Sequence, residues 1–168
     1  MKTCLSILFV FTFFLSNAQS KITLTPKGFE PNPIVGSLPQ MTNEKFIEGT
    51  QLWAQEFSQG EADISEVTEN SMTIDALRDN AFFYRNLGET FFHKVKYRIK
   101  IFKEGNRYSL AFQVTEIYAK KTLLKSAITD YLTADGKPKD GFQDVKPSIE
   151  KTAGIIVDSY ARYMNNFR

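Results

Sequence analysis

The sequence predicts an α+β domain. One antiparallel sheet is covered on one face by two helices, in the order β-α-β-β-β-β-α. Three observations predict it. Apolar and polar side chains alternate over residues 94–101 and again over 107–114, on either side of a Gly105-Asn106 turn. Residues 43–58 and 147–164 each repeat apolar side chains at helical spacing. The chain is 168 residues long, 42% hydrophobic and 14% aromatic, which suffices for one core and argues against disorder.

The opening segment, MKTCLSILFVFTFFLSNAQS, has the order of a secretory signal peptide. Lys2 supplies the positive start, Leu5 to Leu15 the short apolar run, and Ser16-Asn17-Ala18 the small and polar residues before a cleavage expected ahead of Gln19. The run is short for a membrane span, which needs about 20 residues. Cys4, the single cysteine, lies ahead of most of that run, so processing leaves no cysteine. Such a chain cannot form wrong disulfides in an oxidising compartment, and its stability has to come from packing. The expected destination is periplasmic or extracellular.

Residues 19–41 come next. Ile22 and Leu24 alternate with Lys21, Thr23 and Thr25, which predicts a short first strand. Pro26, Pro31, Pro33 and Pro39 make the remainder an extended connector. Residues 42–168 complete the same domain. Phe46, Ile47, Thr50, Trp53, Ala54 and Phe57 mark the first helix, with Thr42 as its cap, Met41 and Phe46 as a staple, and Gly60 as its terminator. Ile64 and Val67 are weak strand signals. Met72, Ile74 and Ala76 mark a further strand, and Phe82, Phe83 and Tyr84 a run interrupted at Asn86 and Gly88.

The clearest segment is the hairpin. Val95, Tyr97, Ile99 and Ile101 alternate with Lys94, Lys96, Arg98 and Lys100, then Tyr108, Leu110, Phe112 and Val114 with Arg107, Ser109, Ala111 and Gln113. Each strand therefore has one apolar and one polar face. Residues 120–144 form an inserted segment. Leu123, Leu124, Ala127, Ile128, Tyr131 and Leu132 suit a short helix, and 135–141 a surface loop. The last helix has Pro147 in its first turn and a stripe of Ile149, Ala153, Ile156, Tyr160, Tyr163 and Met164.

These features resemble a secreted Bacteroidota domain-of-unknown-function family with a TATA-binding-protein-like fold. The resemblance rests on the signal peptide, the helix around Leu52-Trp53, the hairpin from Tyr97-Arg98-Ile99-Lys100-Ile101 to Arg107–Phe112, and the closing helix. It covers most of residues 21–168. It implies a fold and export, and it carries over no catalytic residue.

Composition excludes several chemistries. A net charge of +2 gives no reason to expect a nucleic-acid partner. One cysteine and one histidine exclude a Cys/His zinc cluster. No phosphate-binding glycine loop or dinucleotide motif is present, so no cofactor is expected. His93 has Phe91, Phe92 and Lys94 as neighbours and is expected to be structural rather than a general base. Glu61, Asp63, Glu66 and Glu69 form a loose acidic run; Glu61 and Asp63 are expected to share one solvated strand face, or to balance the basic strand.

Two binding candidates follow. Lys94, Lys96, Arg98 and Lys100 share one strand face at about 6.6–7 Å spacing. Such a row suits an anionic envelope polymer or another envelope protein; its simpler explanation is a solvated face that resists edge pairing. Phe82, Phe83 and Tyr84, with Phe91 and Phe92, flank Asn86-Leu87-Gly88 and could bracket an exposed turn, although burial is the commoner fate of phenylalanine. The expected function is a noncatalytic exported binding or accessory domain of the cell envelope. The alternatives are an assembly subunit using the open sheet face, or an enzyme or enzyme inhibitor.

Overall fold

The computed structural model describes residues 21–167. The expected signal peptide, residues 1–18, lies outside the described residues. The described chain is a six-stranded antiparallel sheet with two helices on one face, the α+β sandwich the sequence predicts.

Three long strands form its centre: β5 (Ser71–Asn86), β6 (Glu89–Glu104) and β7 (Arg107–Ala119). The β6–β7 turn falls at Gly105-Asn106, as the alternation predicts, with Gly105 at φ 57°, where a side chain would crowd the backbone. Tyr97 pairs with Val114, Ile99 with Phe112 and Ile101 with Leu110, so one face collects the apolar side chains. That face meets α1 (Asn43–Phe57) and α2 (Val145–Asn166). Val95, Tyr97, Ile99 and Ile101 lie in the same core cluster as Trp53 and Ile156, which fixes the layering.

The helices form for local reasons. The Thr42 hydroxyl caps α1 by accepting from the Lys45 N–H at 3.3 Å, and Glu44 stands in the favourable first turn. Pro147 is the third residue of α2, where its missing N–H costs nothing. Polar groups at the helix interface find partners: Thr50 donates to the Phe46 carbonyl at 2.7 Å and lies 3.1 Å from the Tyr160 hydroxyl, and the Trp53 indole donates to Ser159. Gly49 admits the Phe167 ring, which an added Cβ would meet at 2.7 Å.

Three segments differ from their sequence expectations. First, residues 21–41 supply three strands. β1 (Thr23–Thr25) and β2 (Gly28–Glu30) form a small separate hairpin, and β3 (Ile34–Ser37), inside the expected connector, joins the main sheet beside β7. The prolines bracket β3 rather than interrupt it, and Gly36 lets the Tyr108 ring lie across the pair. Second, Ser71–Asn86 is one strand. A bulge between Arg78 and Phe82, with Asn80 at φ 51°, shifts its phase without ending it. The weak signal at Ile64 becomes β4 (Asp63–Ser65) on the outer edge of β5. Third, the inserted segment is not a helix at Leu123-Leu124. It forms β8 (Thr122–Leu124) antiparallel to β7, then one 3-10 turn, Ile128–Tyr131. Its buried side chains, Ile128, Tyr131 and Leu132, belong to the core.

The hairpin β1–β2 is tied to the last helix. The Leu24 N–H donates to Glu150 Oε1 at 2.8 Å, and Lys146 Nζ donates to the Leu24 carbonyl. Both hydrogen-bonding groups of a fully buried residue are thus satisfied by an i,i+4 pair on α2.

Candidate functional site

The helix-free face of the sheet carries the basic row. Lys94, Lys96, Arg98 and Lys100 all project from it, because their neighbours on β6 fill the core. Each meets a carboxylate from another element. Lys94 pairs with Asp79 at 2.8 Å, Lys96 with Glu116 at 3.8 Å, Arg98 with Asp75 at 2.9 Å and Lys100 with Glu66 at 3.0 Å. The row is therefore a ladder of ion pairs, with acids on both sides of β6.

The pairs are unequal. Asp75 is buried, and Arg98 grips it through Nε at 3.0 Å and Nη2 at 2.9 Å. That fork fixes the guanidinium, and Asp75 reinforces its charge. Lys100 and Glu66 are both largely exposed, so their attraction is screened. Hydrogen bonds from Thr73 and then Lys100 hold the Glu66 carboxyl below its ordinary range. Asp79 raises the Lys94 ammonium. Of the acidic run, Glu66 balances the basic strand, while Glu61 and Asp63 are exposed.

The aromatic candidates divide. Phe82 has no exposed surface: it stacks on His93 at 4.7 Å and meets Tyr131 edge-on, so it is a core residue and not a contact residue. Tyr84 is half-buried against Phe91 and Phe142 on the helix side. Phe83 pairs with Phe92 on the other face, where Phe92 is 54% exposed. The bulge in β5 and its pairing with β6 decide these placements, and a three-residue aromatic run shows neither.

His93 is buried between Phe82 and Tyr84. Burial pushes its imidazole below the ordinary value, against a weaker opposing effect of the Phe91 carbonyl 3.2 Å from Nδ1. The ring packs between Phe82 and Tyr84 as part of the aromatic cluster on the helix side of the sheet. Among the described residues no cluster of three His, Cys, Asp or Glu side chains stands ready for a metal.

One concave feature was not legible in the sequence. β3 covers β7 only as far as Leu110, and β8 begins only at Ile117. Asn32 fills part of the gap: its side chain donates to the Phe112 carbonyl at 3.1 Å and accepts from the Phe112 N–H at 3.0 Å. A groove of about 380 Å³ opens there, walled by Phe29, Asn32, Arg98, Lys100, Gln113 and Ile128 among others. The Pro-Asn-Pro sequence at 31–33 is its only sequence trace.

No family model and no curated protein matches the sequence. Two solved structures are similar in fold. A DUF4468 family protein from Bacteroides ovatus superposes with a TM-score of 0.52 at 11% identity, over 79% of this chain and 80% of that one. A TBP-like protein from Parabacteroides distasonis gives 0.51 at 10% identity, over 80% and 92%. At such identity the likeness shows the fold, a TATA-binding-protein-like α+β sandwich. It agrees with the resemblance to a Bacteroidota domain-of-unknown-function family.

Proposed function

We propose that this chain is an exported, noncatalytic binding domain of the bacterial envelope, and that its helix-free sheet face receives a partner protein. The observation that carries the reading is the composition of that face. Two helices close one side of the sheet, while the other presents four ion pairs interspersed with the exposed side chains of Leu77, Phe92 and Phe102. Alternating charge with apolar side chains between suits a protein surface. A polyanion is the poorer fit, because each cation already faces a carboxylate. A fold shared with a nucleic-acid-binding namesake carries no activity by itself.

The export half of the proposal is supported by the signal-peptide pattern at residues 1–18. N-terminal sequencing of exported material tests it: Gln19 as first residue is expected, and retained Met1 refutes it. Capture of partners from a detergent-solubilised envelope extract tests the face. Lys96→Glu with Arg98→Glu reverses two rungs of the ladder. Loss of the captured protein is expected, provided the variant keeps its circular dichroism spectrum. An unchanged set of partners refutes the assignment.

A further inference from the structure

The chain spends backbone strain on exposing a leucine. Asn86 pairs with Glu89, so β5 and β6 are joined by a two-residue loop, Leu87-Gly88. Both loop residues have positive φ, 48° and 83°, as the hairpin turn that matches strand twist demands. Asparagine or glycine suits the first position, and an apolar side chain there gains nothing from the turn. Leu87 is nevertheless 97% exposed at the apex. Folding provides no local reason for this residue.

The surroundings supply one. Phe83 and Phe92 pair just below the apex, on the helix-free face. Phe92 is two residues from Lys94, which pairs with Tyr118, and Tyr118 pairs with Leu123. Strand alternation therefore sets Phe83, Phe92, Tyr118 and Leu123 on one surface, with Leu123 55% exposed. His93 pairs with Ala119, so the Lys120-Lys121 turn lies beside Phe92. Lys120, Lys121 and Lys125 are exposed, and none forms an ion pair among the described residues. Asp79 and Asp144 are engaged with Lys94 and Arg85, which leaves Glu89 as the one acid in the turn itself.

We infer that this end of the domain, the Leu87 tip with Phe83, Phe92 and Leu123 behind it and Lys120, Lys121 and Lys125 beside it, docks on an anionic lipid surface. The feature is convex, so it needs no shaped pocket in its partner. Apolar side chains foremost with unpaired cations set back match the layering of acyl chains beneath anionic headgroups. This site adjoins the ion-pair ladder at Phe92, but its tip and its lysines lie outside the ladder, and it does not depend on the protein-partner reading of the sheet face.

The test is vesicle co-sedimentation of the chain lacking residues 1–18, which keeps every described element. Vesicles of phosphatidylcholine alone are compared with phosphatidylcholine containing phosphatidylglycerol. Binding to the anionic vesicles, weakened by salt, is expected. Leu87→Asn should lower the partition coefficient about tenfold, the order expected for withdrawing one leucine from an apolar phase. Because Asn-Gly is the preferred turn, this variant should melt no lower than the parent, so lost binding is not lost folding. Lys120→Glu with Lys121→Glu should abolish the preference for anionic lipid. No binding to the anionic vesicles, or equal binding by Leu87→Asn, overturns the inference. So does a protein captured from extract in a Leu87-dependent way without vesicle binding. Extract capture is done without bilayers, so failure of this inference and failure of the sheet-face reading are read separately.

Discussion

Asn32 does the work of a missing strand, and removing its side chain measures that work. Phe112 is 1% exposed, on a stretch of β7 that neither β3 nor β8 reaches. Its N–H and carbonyl bond to the Asn32 side chain at 3.0 and 3.1 Å, across 80 residues of sequence. Asn32→Ala deprives both groups at once. An unpaired buried polar group costs about 1–3 kcal/mol. Asn32 and Phe112 also wall the 380 Å³ groove, so water can reach part of the gap and each loss falls at the low end. The expected total is about 2 kcal/mol, which lowers the melting temperature by roughly 4–8 °C in a chain of this size. Urea unfolding followed by tryptophan fluorescence is a direct assay, since Trp53 is the only tryptophan and is buried in the same core. Asn32→Asp keeps the acceptor for the Phe112 N–H and, when ionised, loses the donor to its carbonyl, so it should fall between parent and alanine variant at neutral pH and recover toward the parent in acid. An alanine variant within about 0.5 kcal/mol of the parent refutes the strand-substitute account.

Three further predictions are independent of that gap. Gly154 lies inside α2 with nothing within 4 Å of where a Cβ would stand, so Gly154→Ala should stabilise the domain by about 0.8–1 kcal/mol in urea titration. Gly36→Ala should do the reverse, by about 1–3 kcal/mol, because its Cβ would stand 2.3 Å from the Tyr108 ring, itself set edge-on against Tyr160. The third concerns pH. His93 has a folded-state pKa depressed by burial below 6.5, so the unfolded chain takes up its proton first. The stabilisation is complete above pH 6.5 and is lost as pH falls through the folded-state value. The urea midpoint should therefore fall between pH 7.5 and 5.5, above the range where carboxylates titrate. His93→Phe should flatten that segment, and an unaltered slope refutes the assignment.

The β6–β7 hairpin was legible because its side chains alternate over 94–101 and 107–114 and its turn carries glycine where positive φ is needed. The helices were legible from their apolar spacing, and the cap at Thr42 from one residue type. β5 was split in the sequence reading because Asp79-Asn80 occupies a bulge, where the alternation changes phase and pairing continues. β3 was hidden because four residues between prolines carry no periodicity, and their strand character comes from β7. The basic row was placed on the right face, but its carboxylate partners were not legible. Asp75, Asp79 and Glu116 reach it through cross-strand registers fixed by two bulges, and those registers have no sequence trace. Phe82 shows the same limit: its neighbours Phe83 and Tyr84 have different surroundings, and only the strand's phase tells them apart.

The tie between Leu24 and Glu150 has a consequence for the order of folding. The last helix, α2, lies against β1, β3, β5 and α1, so one late segment supports elements from the first hairpin onward. Without α2 the sheet has half its cover, and the first hairpin loses the Glu150 and Lys146 side chains that hold Leu24. Contacts spanning most of the sequence form late and slowly. The domain therefore acquires its finished packing only once α2 has met the first hairpin, 126 residues away along the sequence.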